Sequence, residues 1–219
     1  RNLGIPTVLD RYIQQSFAQV LSSYYEPTFS DYSYGFRPNR STHDAVEQSL
    51  SYLNSGYEYV VVIDISNYFG TVNHDQLLYS LSKESEDKVF LKLIRKYLQS
   101  GVMINGVKQA TLEGTPQGGN LSPVLSNVYL DRLDKELESR GHRFVRYADD
   151  LSIYVKSQRA GERILSNVSD WLTKRLKLRV NMEKSGVYRY NRAELLGFGY
   201  YKDSKGIELR ISKNSLRRF

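Results

Sequence analysis

The sequence predicts an α+β protein with an antiparallel sheet packed on helices. Strand-like and helix-like segments mix without the βαβ rhythm of a doubly wound parallel sheet. Residues 59–65 form a β-branched, almost continuously apolar run, which indicates a strand covered on both faces. Residues 102–110, around Asn105-Gly106, and residues 144–155 have hairpin patterns. Since hairpins pair neighbouring strands, the sheet should be antiparallel.

The composition is that of an ordinary globular protein. The chain has 219 residues, enough for one large domain or two closely packed ones, with 40% hydrophobic and 25% charged residues. These values exclude disorder, a collagen helix and a coiled coil as descriptions of the whole chain. Because Arg1 is not an initiator Met and the last residues show no obvious finish, we expect a fragment of a longer protein.

The charge balance indicates a polyanionic partner. Lys plus Arg number 31 against 24 for Asp plus Glu, which gives a net charge of +7. A nucleic acid is the first expectation, although ribosome-binding and merely soluble basic proteins share this balance. The sequence has no Cys, which excludes disulfides, thiolate nucleophiles and Cys-ligated zinc. No apolar run approaches the ~20 residues of a membrane span and the start is not signal-like, so we expect no membrane partner and a cytoplasmic location.

Two capping patterns predict where the first helices begin. Thr7 and Asp10 stand at capping-box spacing, and apolar residues at helical intervals then continue to Pro27. Ser41 and Asp44 repeat the capping pattern before a second helix. Further helices are predicted over residues 75–82, 84–99, 122–138 and 159–176, and short strands over residues 195–211.

Three carboxylates are the clearest chemical feature. Asp149 and Asp150 are adjacent in the turn of the second hairpin, where two repelling charges favour a compensating cation. For this pair alone a solvated turn is the better interpretation, since Asp is a common turn residue. Asp64 favours a cation site instead, because an unpaired carboxylate within an apolar run costs several kcal/mol. If the two segments are neighbours, the carboxylates suit two Mg²⁺ ions about 4 Å apart and an in-line phosphoryl displacement.

Residues 114–123 read Gly-Thr-Pro-Gln-Gly-Gly-Asn-Leu-Ser-Pro and lead into a predicted helix. The Pro and Gly residues shape the backbone, the helix N-terminus could attract an anion, and Gln117 could hydrogen-bond a sugar or base. Taken alone, such a segment is more often a plain strand-to-helix turn. It matches neither the P-loop nor the dinucleotide-binding pattern.

Taken together and in order, the motifs resemble the reverse transcriptases encoded by group II introns. The matching segments are residues 1–11, 29–41, 64–74, 114–123, 147–150, 181–185 and 196–198. They are similar to two fingers motifs, the palm motif with the first metal-binding Asp, the Pro-Gln-Gly motif, the YADD box and two later palm motifs. The match spans essentially the whole chain, and the ordered series is far more specific than the YADD box alone.

The resemblance implies a role for each residue of the carboxylate region. Asp64 and Asp149 would hold two Mg²⁺ ions, for which Mn²⁺ can substitute, and Asp150 would complete the cluster. Ile65 would also lie at the metal. Phe69 matches the aromatic residue that stacks under the sugar and excludes a 2′-hydroxyl; the alternative is a plain core Phe.

The same resemblance assigns residues to the nucleotide and the primer. Gln117 would contact the incoming nucleotide, Arg1 would grip its triphosphate, and Lys184 would lie near the leaving pyrophosphate. Without the resemblance, Lys184 is better interpreted as a surface lysine. Leu196-Gly197-Phe198 resembles the motif that contacts the primer.

The implied architecture is the fingers and palm of a right-hand polymerase. We expect residues 1–55 to be mainly fingers, 56–84 palm, 85–115 the fingers-palm connection with its hairpin, and 116–219 palm, with the thumb absent. One departure is Gly70, where relatives usually carry an acidic residue. It is not one of the metal carboxylates, so it affects the expected turn geometry more than the expected activity.

The leading function is RNA-directed DNA polymerase, in which a primer 3′-hydroxyl attacks a deoxynucleotide on an RNA template. The implied partners are the RNA template, group II intron RNA, a DNA primer and dNTP, in a bacterial cytoplasm; a homodimer is an option that the sequence does not select. The alternative is a maturase that binds intron RNA without catalysis, and the intact carboxylates favour retained catalysis. An abortive-infection or diversity-generating relative is a weaker third option, which the Pro-Gln-Gly segment opposes.

The remaining polar residues have ordinary interpretations. His43, His74 and His142 are far apart and form no zinc or general-base pattern. Most of the 18 Tyr should serve packing, although Tyr rings can stack on bases. Several basic residues are candidate RNA contacts, but each one alone is more often a solvated charge. These are Arg37, Arg40, Arg140, Arg143, Arg146 and residues 189–192.

Overall fold

A computed structural model describes residues 4–104, 107–116 and 118–217. By their internal contacts these residues fall into two units. The first comprises the described residues up to 29 together with 66–132 and 174–178; the second comprises 30–65, 133–173 and the described residues from 179. Helices and antiparallel strands mix along the chain, which confirms the predicted α+β class.

The described residues contain eight α-helices. They are α1 (Val8–Tyr25), α2 (Thr42–Asn54), α3 (Tyr68–Thr71), α4 (His74–Ser82), α5 (Lys88–Leu98), α6 (Ser122–Ser139), α7 (Gln158–Leu176) and α8 (Lys213–Leu216). None of these helices is both long and apolar enough to cross a membrane.

Nine strands in the described residues form three antiparallel sheets. They are β1 (Tyr59–Ile63), β2 (Val102–Ile104), β3 (Val107–Gln109), β4 (Arg143–Tyr147), β5 (Asp150–Val155), β6 (Gly186–Arg189), β7 (Glu194–Leu195), β8 (Phe198–Lys202) and β9 (Ile207–Ile211). The strand orders are β4-β5-β1-β6, β2-β3 and β7-β8-β9. Both predicted hairpins are therefore confirmed, while β6 was not predicted. The Asn105-Gly106 turn lies outside the described residues.

The two predicted helix starts are also confirmed. Thr7 is the N-cap of α1, and its side-chain oxygen accepts the Asp10 N–H at 3.2 Å. At α2, Ser41 and Asp44 form a complete capping box, in which each side chain accepts the other residue's backbone N–H. Because these contacts join residues three apart, the local sequence is enough to indicate them.

Two element boundaries differ from the prediction by more than one residue. Helix α5 begins at Lys88 rather than at residue 84, because the Asp87 side chain accepts the N–H groups two and three residues further along and so caps the helix there. Strand β1 ends at Ile63, two residues early. The Asp64 N–H donates to the Ser185 side chain instead of a neighbouring strand.

The four-stranded sheet of the second unit has β1 in its interior, between β5 and β6. Val60, Val61 and Ile63 are buried, so the apolar run is covered on both faces as predicted. On one face, Val60 belongs to the same core cluster as Val46 of α2. On the other, Gly161 of α7 lies so close that a Cβ there would be 3.3 Å from Val61 Cγ2.

Buried and partly buried polar contacts join α2 to strands of two sheets in the second unit. The Ser49 hydroxyl is hydrogen-bonded to Tyr154 on β5 at 2.7 Å and to Tyr200 on β8 at 2.6 Å. Burial raises the pKa of both tyrosines, because the charged phenolate would lose its hydration there. The Asn54 side chain donates to the Ile207 C=O and accepts the Ile207 N–H, both at 2.9 Å. Helix α2 is thereby fixed to β5, β8 and β9.

The first unit buries residues of α4, α5 and α6 but leaves one side of α1 exposed. Its fully buried side chains include Leu77, Leu81, Ile94, Leu98, Leu125 and Tyr129. The buried residues of α1 are Gln14, Ala18, Leu21 and Tyr25. The apolar stripe whose spacing predicted this helix is mostly exposed, as at Leu9, Ile13, Val20 and Tyr24. The periodicity thus predicted the helix correctly, although a different face of it is buried in this unit.

Candidate active site

Asp64 follows the last residue of β1, and the loop before β6 holds its backbone. The Asp64 N–H donates to Ser185 Oγ at 3.0 Å, and its C=O accepts the Asn181 N–H at 2.8 Å. The next residue, Ile65, is buried and forms an isolated antiparallel bridge with Val180. The loop that resembles a later palm motif therefore fixes the backbone of the first aspartate.

The β4–β5 hairpin turns through two residues. Tyr147 and Asp150 form its last pair, so Ala148 and Asp149 occupy the turn. Ala148 has a φ of 57°, in the left-handed region that alanine rarely adopts, whereas Asp149 has a negative φ. This pattern is typical of a type II′ hairpin turn. Asp149 is half-buried and Asp150 is exposed.

The pairing of β1 with β5 brings the three aspartates to one edge of the sheet. Ile63 pairs with Leu151, and continuing this antiparallel register by one residue sets Asp64 opposite Asp150. Asp64 lies one residue beyond the last β1–β5 pair, and Asp149 is the chain neighbour of Asp150. Among the described residues, however, no three Asp, Glu or His side chains form a group placed to hold a metal ion. The register places the backbone, and convergence of the carboxylates on a cation stays a prediction.

The turn is supported by residues on both sides of it. A Cβ on Gly35 would lie 2.3 Å from the Ala148 N, so only glycine fits there. The Arg146 side chain is almost completely buried and donates to the Ala148 C=O at 2.8 Å and to both carboxylate oxygens of Asp134. This burial contradicts the interpretation of Arg146 as a candidate RNA contact. Arg37 is likewise buried.

Phe69 lies in the first unit, on α3, and is tied to the segment that resembles the Pro-Gln-Gly motif. Its C=O accepts the Thr115 N–H at 2.7 Å, and the Gly114 N–H donates to the Val72 C=O at 2.7 Å. The Phe69 side chain is half-buried. Since Thr115 precedes Gln117 by two residues, the start of this loop is anchored to the Phe69 backbone.

His74 and Gly70 also lie against the start of this loop, at Gly114. His74 is buried, and its Nε2 donates to the Gly114 C=O at 2.7 Å, which fixes the tautomer because a carbonyl oxygen can only accept. Its Nδ1 has no hydrogen-bond partner among the described residues. A Cβ on Gly70 would lie 2.3 Å from Asn67 Nδ2, so the Asn67 carboxamide fills the place of a side chain at position 70. The departure at Gly70 is therefore accommodated by local packing.

Two residues assigned to the nucleotide cannot be placed, and a third is on the surface. Arg1 and Gln117 lie outside the described residues. Lys184 is exposed, in the turn before β6, and its N–H donates to the Asn181 C=O at 3.2 Å. An exposed lysine is compatible both with a surface charge and with a phosphate contact.

The segment assigned to the primer is a tight connection between β7 and β8 in the second unit. Leu196 and Gly197 have φ values of 51° and 86°. The Gly197 C=O accepts the Ser212 N–H at 2.9 Å, which ties this connection to the start of α8. The Phe198 ring lies edge-on to His43, with 6.2 Å between ring centroids. The backbone of this segment is thus fixed within its own unit.

The sequence assigned no role in the site to Asp134, Ser185 or His74, although Ser185 and His74 lie within the matching segments 181–185 and 64–74. Asp134 stands at helical spacing between Leu130 and Leu137, both buried, where a carboxylate requires a buried partner, and that pattern is a signal. Ser185 and His74 give no comparable signal, because each bonds to a backbone group that is distant in sequence.

Comparison with known proteins gives consistent matches. Residues 1–200 match the family described as "Reverse transcriptase (RNA-dependent DNA polymerase)". Protein YkfC of Escherichia coli (strain K12) is 31% identical over 229 residues, covering 87% of this chain and 60% of YkfC. The group II intron-encoded protein LtrA of Lactococcus lactis subsp. cremoris is 42% identical over 135 residues, covering 62% of this chain and 22% of LtrA. The chain thus spans only part of each of these relatives.

Among solved structures, a similar fold occurs in apo telomerase from Candida tropicalis truncated from its C-terminal domain. The TM-score is 0.68 at 12% sequence identity, and the match covers 93% of this chain and 45% of that chain. At this identity the likeness concerns the fold alone. The polymerase fold implied by the ordered motifs is thereby confirmed.

Proposed function

The chain belongs to the reverse transcriptase family, and on this basis we propose that it is the fingers and palm of a group II intron-encoded enzyme that extends a DNA primer on an RNA template. The observation that supports the proposal is the β1–β5 register, whose last pair, Ile63 and Leu151, immediately precedes Asp64 on one strand and follows Asp150 on the other. The similarity to LtrA supports the intron-encoded class. The assignment is residues 1–55 mainly fingers, 56–84 palm, 85–115 connection and 116–219 palm.

The donor set at this edge of the sheet fits divalent cations. Carboxylate oxygens are the ligands that Mg²⁺ prefers, and closely spaced carboxylates repel each other unless a cation compensates them. We propose that Asp64, Asp149 and Asp150, with Ile65 alongside, hold two Mg²⁺ ions, for which Mn²⁺ can substitute. Bound ions would stabilise charge on the entering and leaving oxygens of an in-line displacement.

The chain's own residues contribute mainly by positioning. The Asn181 and Ser185 contacts fix the Asp64 backbone, and the hairpin fixes that of Asp149. In the proposed reaction a bond forms between the primer 3′-oxygen and the α-phosphorus of the dNTP, and the bond to the leaving pyrophosphate breaks. Since this transfer needs little covalent chemistry from the protein, orientation and electrostatic stabilisation supply most of the rate.

Selection of the nucleotide is assigned to residues of the first unit and to Lys184. Phe69 would exclude a 2′-hydroxyl, Gln117 would contact the base or sugar, and Arg1 and Lys184 would bind the triphosphate. The hydrogen bond between Thr115 and the Phe69 C=O supports a shared role for Phe69 and the loop, because it holds the two backbones together. Leu196-Gly197-Phe198 is assigned to the primer.

The proposed partners are an RNA template, group II intron RNA, a DNA primer and dNTP. The net charge of +7 supports polyanionic partners. Binding through phosphates releases counterions, so RNA affinity should fall steeply and log-linearly with salt concentration. The bacterial cytoplasmic location stays a prediction.

Primer extension by the full-length protein tests the function. Asp149→Asn removes the charge at the turn and should reduce extension to background while leaving RNA affinity largely unchanged. Asp170→Asn, at an exposed position of α7, is the matched control. Extension by Asp149→Asn at the wild-type rate would show that the site assignment is wrong. A wild-type protein that promotes intron splicing without extending any primer would instead be a non-catalytic maturase.

A further inference from the structure

The turn that carries Asp149 adopts a conformation that its own sequence does not favour. Ala148 has a φ of 57°, where Gly, Asn or Asp is usual and the alanine Cβ is crowded by the backbone. A two-residue turn of this kind relaxes unless its surroundings oppose the change. The conformation of the Asp149 backbone therefore depends on contacts from outside the turn.

One such contact comes from the Arg146 guanidinium group. Its Nη1 donates to the Ala148 C=O at 2.8 Å, its Nε donates to Asp134 Oδ1 at 2.7 Å, and its Nη2 donates to Asp134 Oδ2 at 2.5 Å. The side chain of Arg146 is 1% exposed and that of Asp134 is 0% exposed. Asp134 lies in the C-terminal part of α6, which belongs to the second unit, so one side chain connects the turn carbonyl to this part of the helix.

The backbone of Arg146 is fixed as well. Its N–H donates to the Tyr32 C=O and its C=O accepts the Tyr34 N–H, both at 2.9 Å. Gly35 follows directly and lies against the turn at Ala148. The guanidinium group therefore starts from a fixed backbone position, and the turn cannot move toward Gly35 without a clash.

From these contacts we propose that Arg146, anchored by Asp134, is a positioning residue that holds the turn in the conformation that presents Asp149. The proposal rests on the proposed function, since positioning matters for catalysis only if Asp149 acts in the reaction. A buried ion pair alone would be weak evidence for more than a folded core. The bond to the Ala148 C=O sets this pair apart, because it acts on the turn itself.

The geometry explains why arginine is required. The planar fork of the guanidinium group supplies two parallel donors to Asp134 and a further donor to Ala148 at the same time. A lysine ammonium group keeps the charge and can pair with the carboxylate, but it lacks the rigid fork. Arg146→Lys therefore separates charge compensation from control of the turn.

The experiment uses the full-length protein with two readouts, hydrogen exchange of the amides of residues 147–150 and the kcat of primer extension well below the melting temperature. In Arg146→Lys we expect exchange of these amides to rise and kcat to fall, each by about tenfold or more, with the KM for dNTP little changed. Ser49→Ala is the matched control. It removes a hydroxyl group that bonds Tyr154 and Tyr200 in the same unit, away from the turn.

A second variant distinguishes loss of the turn contact from unfolding caused by an unpaired buried charge. The double substitution Asp134→Leu with Arg146→Met removes both buried charges together, so neither is left unpaired, and it also removes the donor to Ala148. We expect it to stay folded by circular dichroism, with fast turn exchange and lost extension. Raised amide exchange with lowered kcat in Ser49→Ala would overturn the positioning role. Wild-type exchange and wild-type kcat in the double variant would overturn it as well. If the wild-type protein extends no primer, the proposed function fails, and the exchange comparison alone decides whether Arg146 holds the turn.

Discussion

The hairpin turn of the second unit and the loop of the first unit are held by different kinds of contact. The turn at Ala148 and Asp149 depends on a buried ion pair and on close backbone packing. The loop that begins at Gly114 depends on single hydrogen bonds to backbone groups and to His74. Breaking a buried ion pair leaves an uncompensated charge, whereas loss of one hydrogen bond costs about 1–3 kcal/mol. Changes near the turn should thus have large effects, and changes near the loop graded ones.

The largest effect is expected for Gly35→Ala. The added methyl group would lie 2.3 Å from the Ala148 N, and the clash involves backbone atoms, so the turn must shift. A displacement of ~1 Å in a catalytic group can cost about a hundredfold in rate, and we expect single-turnover extension to slow by that order. The control is Gly141→Asn, where, apart from its chain neighbours, no atom of the described residues lies within 4 Å of the Cβ position and Asn tolerates the φ of 69°. An unchanged rate in Gly35→Ala would show that the turn does not need its packing against Gly35.

A smaller effect of a different kind is expected for Gly114→Ala in the first unit. Its Cβ would lie 2.8 Å from the Gly70 C=O oxygen, and the φ of 87° disfavours alanine. Because this loop leads to Gln117, we expect the KM for dNTP to rise about tenfold, or ~1.4 kcal/mol, with kcat less affected. Steady-state kinetics at varied dNTP measures both values. If kcat falls while KM stays constant, the loop acts on the chemical step and the contrast between the two regions is lost.

The smallest effect is expected for Phe69→Ala, and it concerns selectivity. Without the ring, a 2′-hydroxyl should be accommodated, and the preference for dNTP over rNTP should fall by roughly tenfold or less, the scale of a modest pocket change. Competing incorporation of paired dNTP and rNTP measures the ratio directly. Phe17→Ala serves as the control, since it removes a half-buried ring that packs against Phe90 in the same unit. A constant ratio would leave Phe69 as a packing residue.

Much of the fold could be predicted because its signals are local. The caps at Thr7 and at Ser41 with Asp44 join residues three apart, and the structure contains both contacts. The second hairpin forms where its pattern indicated, but its turn consists of Ala148 and Asp149, and Asp150, which was expected in the turn, is the first residue of β5. The exposed stripe of α1 shows the limit of such signals, because periodicity indicates a helix but does not say which face its own unit buries.

The candidate site could be predicted only in part. The order of motifs indicated Asp64, Asp149 and Asp150, but the sequence could not show that the loop around Asn181 and Ser185 holds the Asp64 backbone. It also placed Arg146 among candidate RNA contacts, because a basic residue in a basic chain is usually solvated. Its burial follows from Asp134 on α6, a partner that becomes apparent only once the helix packs against the hairpin.

The sequence by itself determined the α+β class, the helix caps, the hairpin that carries Asp149 and the family of the chain, because these depend on neighbouring residues and on ordered motifs. The tertiary structure decided the pairing of β1 with β5, which brings the residue before Asp64 opposite Leu151, and the close approach of Gly35 to Ala148. The physical reason is the distance along the chain. Such contacts join segments far apart in sequence, and their geometry is fixed only when the strands and helices have packed.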